Sequence, residues 1–342
     1  MSGEFVGVNE FAKLAGVTRQ AVVNWRTRVR NFPRPVAELS SGPVFRLSHV
    51  RSWLKTRGVK MTHIISTINL KGGVGKTTTT VALAEVFSSE FNKKVLVIDL
   101  DPQTNATVML IGEKRWSKLN SEGKTLATLF CDAVDQKTNF DLEDTIVKDV
   151  SDVSSAKSID ILPSSLDLID IQDRLATIPS GKFYSINPVD LLDRAVRPIV
   201  DNYDIVLIDC PPNLGIITLN GLRLSHGFLI PTIPDVLSTY GIPQIVSRVG
   251  EFSRSLGVHI EPLGIIVSKY QANSTVHKSV LNRLQTSGKE SVFSTIIPQA
   301  NQISGAAEFE KHQRTFKQKY GYQGMADLYT ELGREILYKM ES

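Results

Sequence analysis

Two cysteines in 342 residues, Cys131 and Cys210, leave no disulfide framework to build on, and their wide separation matches no single-chain metal-ligand spacing. Both read as reduced packing residues. No apolar run approaches the ~20 residues that a membrane-spanning helix needs. The N-terminal MSGEFVGVNEF carries neither a basic flank nor a cleavage site, so a cytoplasmic protein is the expectation. Internal repeats and low-complexity tracts are also lacking, which sets aside solenoids and fibrous arrays.

What is present is an ordinary globular composition, 42% hydrophobic, with an uneven distribution of charge. The total is +4, yet residues 1–60 hold eleven Lys or Arg against three Glu, giving +8 and leaving −4 for the rest. A basic head on a mildly acidic body points to an anionic partner for the head, with nucleic acid the natural choice. The length favours one large and one small unit, drawn at 1–58 and 62–342.

In the head, VGVNEFAKLAGVTRQAVVNWRTR places two short helical patterns either side of Gly16, with Thr18 positioned to cap the second. Ala21, Val22 and Trp25 share the inward face, which turns Arg19, Gln20, Asn24, Arg26 and Arg28 outward, where such groups meet base edges and phosphates. A tight turn, a strand Val44–Leu47 carrying Arg46, and a helix capped by Ser48 and anchored by Trp53 and Leu54 should follow. This part resembles the winged helix-turn-helix module of MerR and phage excisionase proteins.

From Thr62 the texture changes to apolar runs between amphipathic stretches, with strands expected at 63–68, 94–100, 159–162, 203–209, 227–231, 263–269 and 292–297. Such alternation predicts an α/β fold, a doubly wound, mostly parallel sheet of seven or eight strands, with an excursion over the polar stretch 112–157.

The chemistry concentrates in NLKGGVGKTTTT, residues 69–80, after a β-branched strand and opening a helix. A glycine-rich turn lets the N–H groups of Gly72, Gly73, Val74, Gly75, Lys76, Thr77 and Thr78 close on phosphate oxygens, and the helix N-terminus adds partial positive charge. In that P-loop arrangement Lys76 reaches the β- and γ-phosphates and the Thr77 hydroxyl ligates Mg²⁺, so ATP and Mg²⁺ are the expected cofactors. Leu70 stands where the general GxxxxGK[ST] pattern has glycine, and Lys71 is an additional lysine within the loop. Farther on, LVIDLDPQTNAT brings Asp99 and Asp101 to the end of a strand, and YDIVLIDCPPNLG ends a second apolar strand on Asp209, placed to hold Mg²⁺ through water.

The KGGVGKTT loop resembles the deviant Walker A loop of the ParA/MinD family, LVIDLDPQTNAT resembles its DxDPQxNxT motif, and the Asp209 strand fits its Walker B position. The likeness is nearest to plasmid partition ParA proteins with an N-terminal helix-turn-helix. It implies that Lys71 crosses a homodimer interface to the partner's nucleotide. It also implies that Asp101 positions or activates the attacking water, that Asp99 supports the Mg²⁺ shell, and that Pro211–Gly215 senses the γ-phosphate. The loop Pro298-Gln299-Ala300 would pack beside the adenine. Function by that likeness is DNA partition by a slow ATPase that dimerises on ATP, binds DNA nonspecifically and is released by a ParB-like partner, in a nucleoid-associated location. Arg248, Lys269, Lys278 and Arg283 are candidate phosphate contacts for the nonspecific DNA.

Two other functions are consistent with parts of the chain. A nucleotide-gated, sequence-specific repressor would use the basic head. A MinD-like membrane switch would need a cationic amphipathic tail, and MADLYTELGREILYKMES, with Leu328, Leu332, Ile336 and Tyr338 on one face, is net acidic, so no membrane partner is expected.

Overall fold

The computed structural model describes residues 5–58, 61–177, 187–287, 290–310, 312, 314–322 and 324–341. The chain parts into two units, Met1–Thr62 with Tyr338–Ser342, and His63–Leu337.

In the smaller unit, strands β1 (Phe5–Gly7), β2 (Ala37–Leu39) and β3 (Gly42–Arg46) form an antiparallel sheet in the order β1-β3-β2. Helices Val8–Leu14 and Arg19–Arg28 meet at a turn where Gly16 takes φ +62°, a conformation that glycine adopts without penalty. Thr18 Oγ1 accepts from the Ala21 N–H at 3.2 Å, so the second helix begins where its cap sits. Six short elements cannot bury a large aliphatic core, and aromatic rings do the packing instead. Phe11 stacks on Phe32 at 5.1 Å and meets Phe45 edge-on at 5.4 Å, while Phe32 meets Trp53 edge-on at 5.1 Å. Such pairs add about 0.5–1.5 kcal/mol each beyond the area they bury. The third helix, Leu47–Thr56, takes in Leu47, so β3 lies at Gly42–Arg46 rather than at Val44–Leu47. The capping role read for Ser48 concerns a side chain outside the described residues.

The larger unit holds a parallel sheet of β4 (His63–Thr67), β5 (Val95–Asp99), β6 (Ile159–Leu162), β7 (Ile205–Asp209), β8 (Gly227–Thr232) and β9 (Glu261–Val267), in the order β6-β5-β7-β4-β8-β9. Strands β5, β7 and β8 are buried at every residue, which explains why they read as unbroken apolar runs instead of alternating patterns. Leu96, Ile98, Val206 and Ile208 face one core with Phe130, Leu168, Leu192 and Ile245. Their neighbours Val97 and Leu207 turn the other way. Helix Lys76–Ser89, which leaves β4 through the glycine loop, packs along β5 and β7. The stretch 112–157 folds as helices Glu113–Ser121, Leu126–Asp135 and Leu142–Thr145 outside the sheet.

Among the described residues the sheet has six strands, not seven or eight, because 292–297 does not form one. The Phe293 and Ile297 N–H groups donate to Ile265 and Val267 of β9. Between them, however, the Glu335 carboxylate captures the Ser294 and Thr295 N–H groups at 2.7 and 2.9 Å and breaks the ladder. Glu335 lies on the terminal helix Met325–Glu341, whose buried line runs Ala326, Tyr329, Leu332, Ile336. Tyr338, assigned above to the apolar face, is 76% exposed, about half a turn round the helix from that line. No helix among the described residues is long and apolar enough to cross a membrane.

Candidate nucleotide site

The parallel register places Thr67 of β4, Asp99 of β5 and Asp209 of β7 side by side at the carboxyl edge of the sheet. That is the edge at which doubly wound sheets bind ligands. The glycine loop leaves β4 there, with Gly73 and Gly75 at φ +75° and +85°, which a side chain would strain. Its outward carbonyls are held from behind. Lys76 Nζ donates to Lys71 O at 3.2 Å, Lys269 Nζ to Gly73 O at 2.7 Å, and Ser268 Oγ to Val74 O at 2.6 Å. Asn69 completes the brace, accepting from the Lys71 N–H at 2.9 Å and donating to Pro231 O at 2.8 Å. With those carbonyls occupied, the loop's N–H groups remain for an anion, and the helix start at Lys76 supplies its dipole.

Thr77 Oγ1 donates to Asp209 Oδ2 at 2.7 Å, and Thr80 Oγ1 to Asp209 Oδ1 at 3.3 Å. A hydroxyl and a carboxylate are hard oxygen donors of the kind Mg²⁺ takes, so these residues fit the cation that the loop implies. Burial pushes the Asp209 carboxyl up to about 7, against the Thr77 and Thr80 hydrogen bonds and the Lys76 charge. Burial likewise lowers Lys76, with Asp209 and Asp101 opposing it. A divalent cation at this point would return Asp209 to its charged form.

Asp99, expected to support the Mg²⁺ shell, engages both carboxylate oxygens within the chain. It is fully buried, Oδ1 accepting from the Asp101 N–H at 3.1 Å and Oδ2 from the Thr107 N–H and hydroxyl at 2.9 and 2.6 Å. Burial and the neighbouring Asp209 raise its pKa well above the ordinary range. Its carboxyl braces the turn that carries Asp101. Asp101 itself is 5% exposed, with Oδ1 accepting the Gln103 N–H at 3.0 Å.

Lys71 turns toward its own chain. Its Nζ donates to Asp235 Oδ2 and Ser238 Oγ, each at 2.9 Å, at the start of helix Val236–Leu256. Burial by itself would raise the Asp235 carboxyl, but the Ser238 N–H and Lys71 hold it below the usual range. Pro298 and Gln299 line a cavity of about 180 Å³ with Gly75, Thr78, Thr79 and Ser268, beside the phosphate loop, where a base would extend. After β7, Asn213 Oδ1 accepts from the Gly215 N–H at 2.8 Å and shapes the 211–215 turn.

The residues assigned to DNA fall on both units. Arg19, Gln20, Asn24, Arg26 and Arg28 are exposed on one helix, with Arg26 ion-paired to Glu38 of β2 and Gln20 bonded to Asn24 at 3.3 Å. Arg46 is half-buried over the Phe5 ring. Lys278 and Arg283 are exposed on helix Thr275–Ser287, and Arg248 on helix Val236–Leu256. Lys269 departs from this set, because its amine braces the phosphate loop at Gly73. Thr80, Ser268, Asp235 and Ser238 were not picked out from the sequence. Only Asp235 carried a usable signal, as the cap of its helix.

A family model described as an AAA domain matches residues 62–261. The chain is 27% identical over 276 residues to the sporulation initiation inhibitor protein Soj of Bacillus subtilis (strain 168), covering 81% of this chain and 98% of that protein. It is 30% identical over 270 residues to a chromosome-partitioning ATPase Soj of Treponema pallidum, covering 79% and 95% respectively. Among solved structures it is similar to cobyrinic acid a,c-diamide synthase from Mycobacterium smegmatis with bound ADP and magnesium, with a TM-score of 0.62, 24% identity, and coverage of 82% of this chain and 96% of that one. A putative plasmid partition protein from Borrelia burgdorferi B31 bound to AMPPNP matches with a TM-score of 0.57 and 22% identity, over 81% of this chain and 99% of that one. The two structural likenesses carry the fold.

Proposed function

Because this chain belongs to the ParA/MinD family of P-loop ATPases, we propose that it is a DNA-partition ATPase whose ATP state dimerises and binds DNA. The observation that carries this reading is the KGGVGKTT loop with Lys71, Lys76, Thr77, Asp101 and Asp209 gathered at one edge of one sheet. A cation held by Thr77 and Asp209 would neutralise phosphate charge. Lys76 pairs with the terminal phosphates, and the Asp101 carboxylate orients the attacking water. Phosphoryl transfer depends chiefly on positioning and charge neutralisation, so this set suffices for slow hydrolysis. Pro298 and Gln299 flank the base.

In the ATP state Lys71 leaves Asp235 for the partner's nucleotide, and a ParB-like protein hastens hydrolysis and release. Lys278, Arg283 and Arg248 meet nonspecific DNA phosphates, while Arg19, Gln20, Asn24 and Arg28 on the exposed helix face contact DNA through the small unit. That exposed polar face favours a second reading, a nucleotide-gated repressor of a specific operator. The test is binding to a random-sequence duplex with ATP, ADP or no nucleotide at one salt concentration. Tight binding with ATP alone supports partition. Affinity indifferent to nucleotide, or confined to one sequence, refutes it in favour of the repressor.

A further inference from the structure

Asp101 is tied to its surroundings in an uneven way. Within its own turn it receives the Thr104 N–H on its carbonyl at 2.9 Å and the Gln103 N–H on Oδ1. Its N–H donates to Asp99 Oδ1 at the end of β5 at 3.1 Å, and among the described residues one further bond reaches it from a more distant part of the chain: Ser164 Oγ donates to Asp101 O at 2.7 Å. Ser164 follows β6, is fully buried, and uses every polar atom that it has. Its N–H donates to Thr107 Oγ1 at 3.0 Å, the hydroxyl that in turn bonds Asp99, and its carbonyl accepts from Trp116 Nε1 at 3.1 Å. The adjacent Pro163 O takes the Leu126 N–H at 2.9 Å. The excursion at 112–157, which plays no part in the nucleotide chemistry, therefore grips both sides of the residue that holds Asp101.

We infer that Ser164 is a positioning residue for Asp101, and that the Trp116 excursion sets, through Ser164, where the Asp101 carboxylate stands. A buried, fully bonded serine has one geometry, so the turn it fastens has one as well. A water-orienting carboxylate loses rate steeply when its position shifts. The inference rests on the reading of Asp101 as the residue that orients the attacking water.

The test uses the full chain with Mg²⁺, measuring the single-turnover rate of ATP hydrolysis separately from the ATP dissociation constant. Ser164→Ala should slow hydrolysis about tenfold with ATP affinity within about twofold of wild type, and Ser164→Thr, which keeps the hydroxyl, should recover most of the rate. Trp116→Phe, which removes one donor to the Ser164 carbonyl, should slow hydrolysis about threefold, again without a change in affinity. It carries the test should Ser164→Ala not fold. A wild-type rate in Ser164→Ala or Trp116→Phe overturns the inference, as does a Thr variant no faster than the Ala variant, or a parallel loss of ATP affinity. Asp101→Asn separates the two layers. If it hydrolyses ATP at the wild-type rate, the reading of Asp101 fails first. If it is inactive while Ser164→Ala is unimpaired, only the positioning role falls.

Discussion

Asp235→Asn should strengthen the ATP dimer. Asp235 does two jobs with its two oxygens: Oδ1 caps helix Val236–Leu256 by accepting the Ser238 N–H at 2.7 Å, and Oδ2 holds Lys71 at 2.9 Å. Asparagine caps helices as well as aspartate does, so the substitution spares the helix. With its carbonyl oxygen on the cap, the amide nitrogen faces the Lys71 ammonium, donor against donor, and the latch is lost. The side chains of Lys71 and Asp235 are 41% and 29% exposed, which limits the pair to about 1 kcal/mol. That is about fivefold in the fraction of monomers with Lys71 free, and about 25-fold for a dimer that needs two free lysines. Sedimentation with a non-hydrolysable ATP analogue reads the dissociation constant directly. The wild-type deficit should shrink as salt rises from about 0.1 to 0.5 M, because screening weakens a half-exposed pair. An unchanged or weaker dimer in Asp235→Asn, or the same gain in a protein already lacking Lys71, would refute the latch.

Three further outcomes follow from the same geometry. Lys76→Ala should abolish measurable ATP binding by isothermal titration, since the buried amine is the loop's charge for the terminal phosphates; affinity within tenfold of wild type would contradict that. The unliganded, Mg²⁺-free protein should lose stability as pH rises from about 4 to about 7, because the Asp209 carboxyl, raised to about 7, binds its proton more tightly folded than unfolded; this group contributes at most about 1.4 kcal/mol per pH unit, the raised Asp99 carboxyl adds a loss of the same sign, and Asp209→Asn should lessen the pH dependence of stability measured by urea unfolding across that window. Lys319→Met should cost about 3–5 kcal/mol, since Lys319 Nζ, fully buried, lies 2.7 Å from both Glu85 and Asp152 and its loss strands the buried Glu85 carboxylate, while Asp152 keeps Arg314 at 2.9 Å; thermal unfolding should fall by roughly 6–12 °C, and a cost under about 1 kcal/mol would mean that water already reaches the cluster.

The nucleotide loop was legible in the sequence because its chemistry is contiguous. Glycine positions, Lys76 and Thr77 lie within one short turn, and strands β5, β7 and β8 of the sheet are buried at every residue, so their apolar runs are unbroken. Asp99 was legible as a position, but its hydrogen bonds to the Asp101 turn and to Thr107 were not. A carboxylate at the end of a strand looks the same whether it faces a cation or an adjacent turn, and only the placement of Thr107 and the Asp101 N–H decides between them. The strand expected at 292–297 failed for a similar reason. Its apolar content is right, but its ladder is interrupted by Glu335, some 40 positions away, and no local pattern announces a distant carboxylate competing for backbone N–H groups.

Lys71 presents the same difficulty in a functional form. Its partner Asp235 is 164 positions away and already has a sufficient local reason to be there, as the cap of a helix. A residue explained by local structure gives no sign of a second duty, so the latch was hidden behind the cap. The arrangement also ties the two together physically. The oxygen that holds Lys71 and the oxygen that starts the helix belong to one carboxylate, and Ser238 bonds to both. Movement of Lys71 toward a second subunit thus removes a cation from the first turn of helix Val236–Leu256, where the helix dipole disfavours positive charge. In the proposed ATP dimer, release of Lys71 would be opposed by one ion pair and assisted by the dipole, a balance near thermal energy that ATP and a partner subunit could reverse.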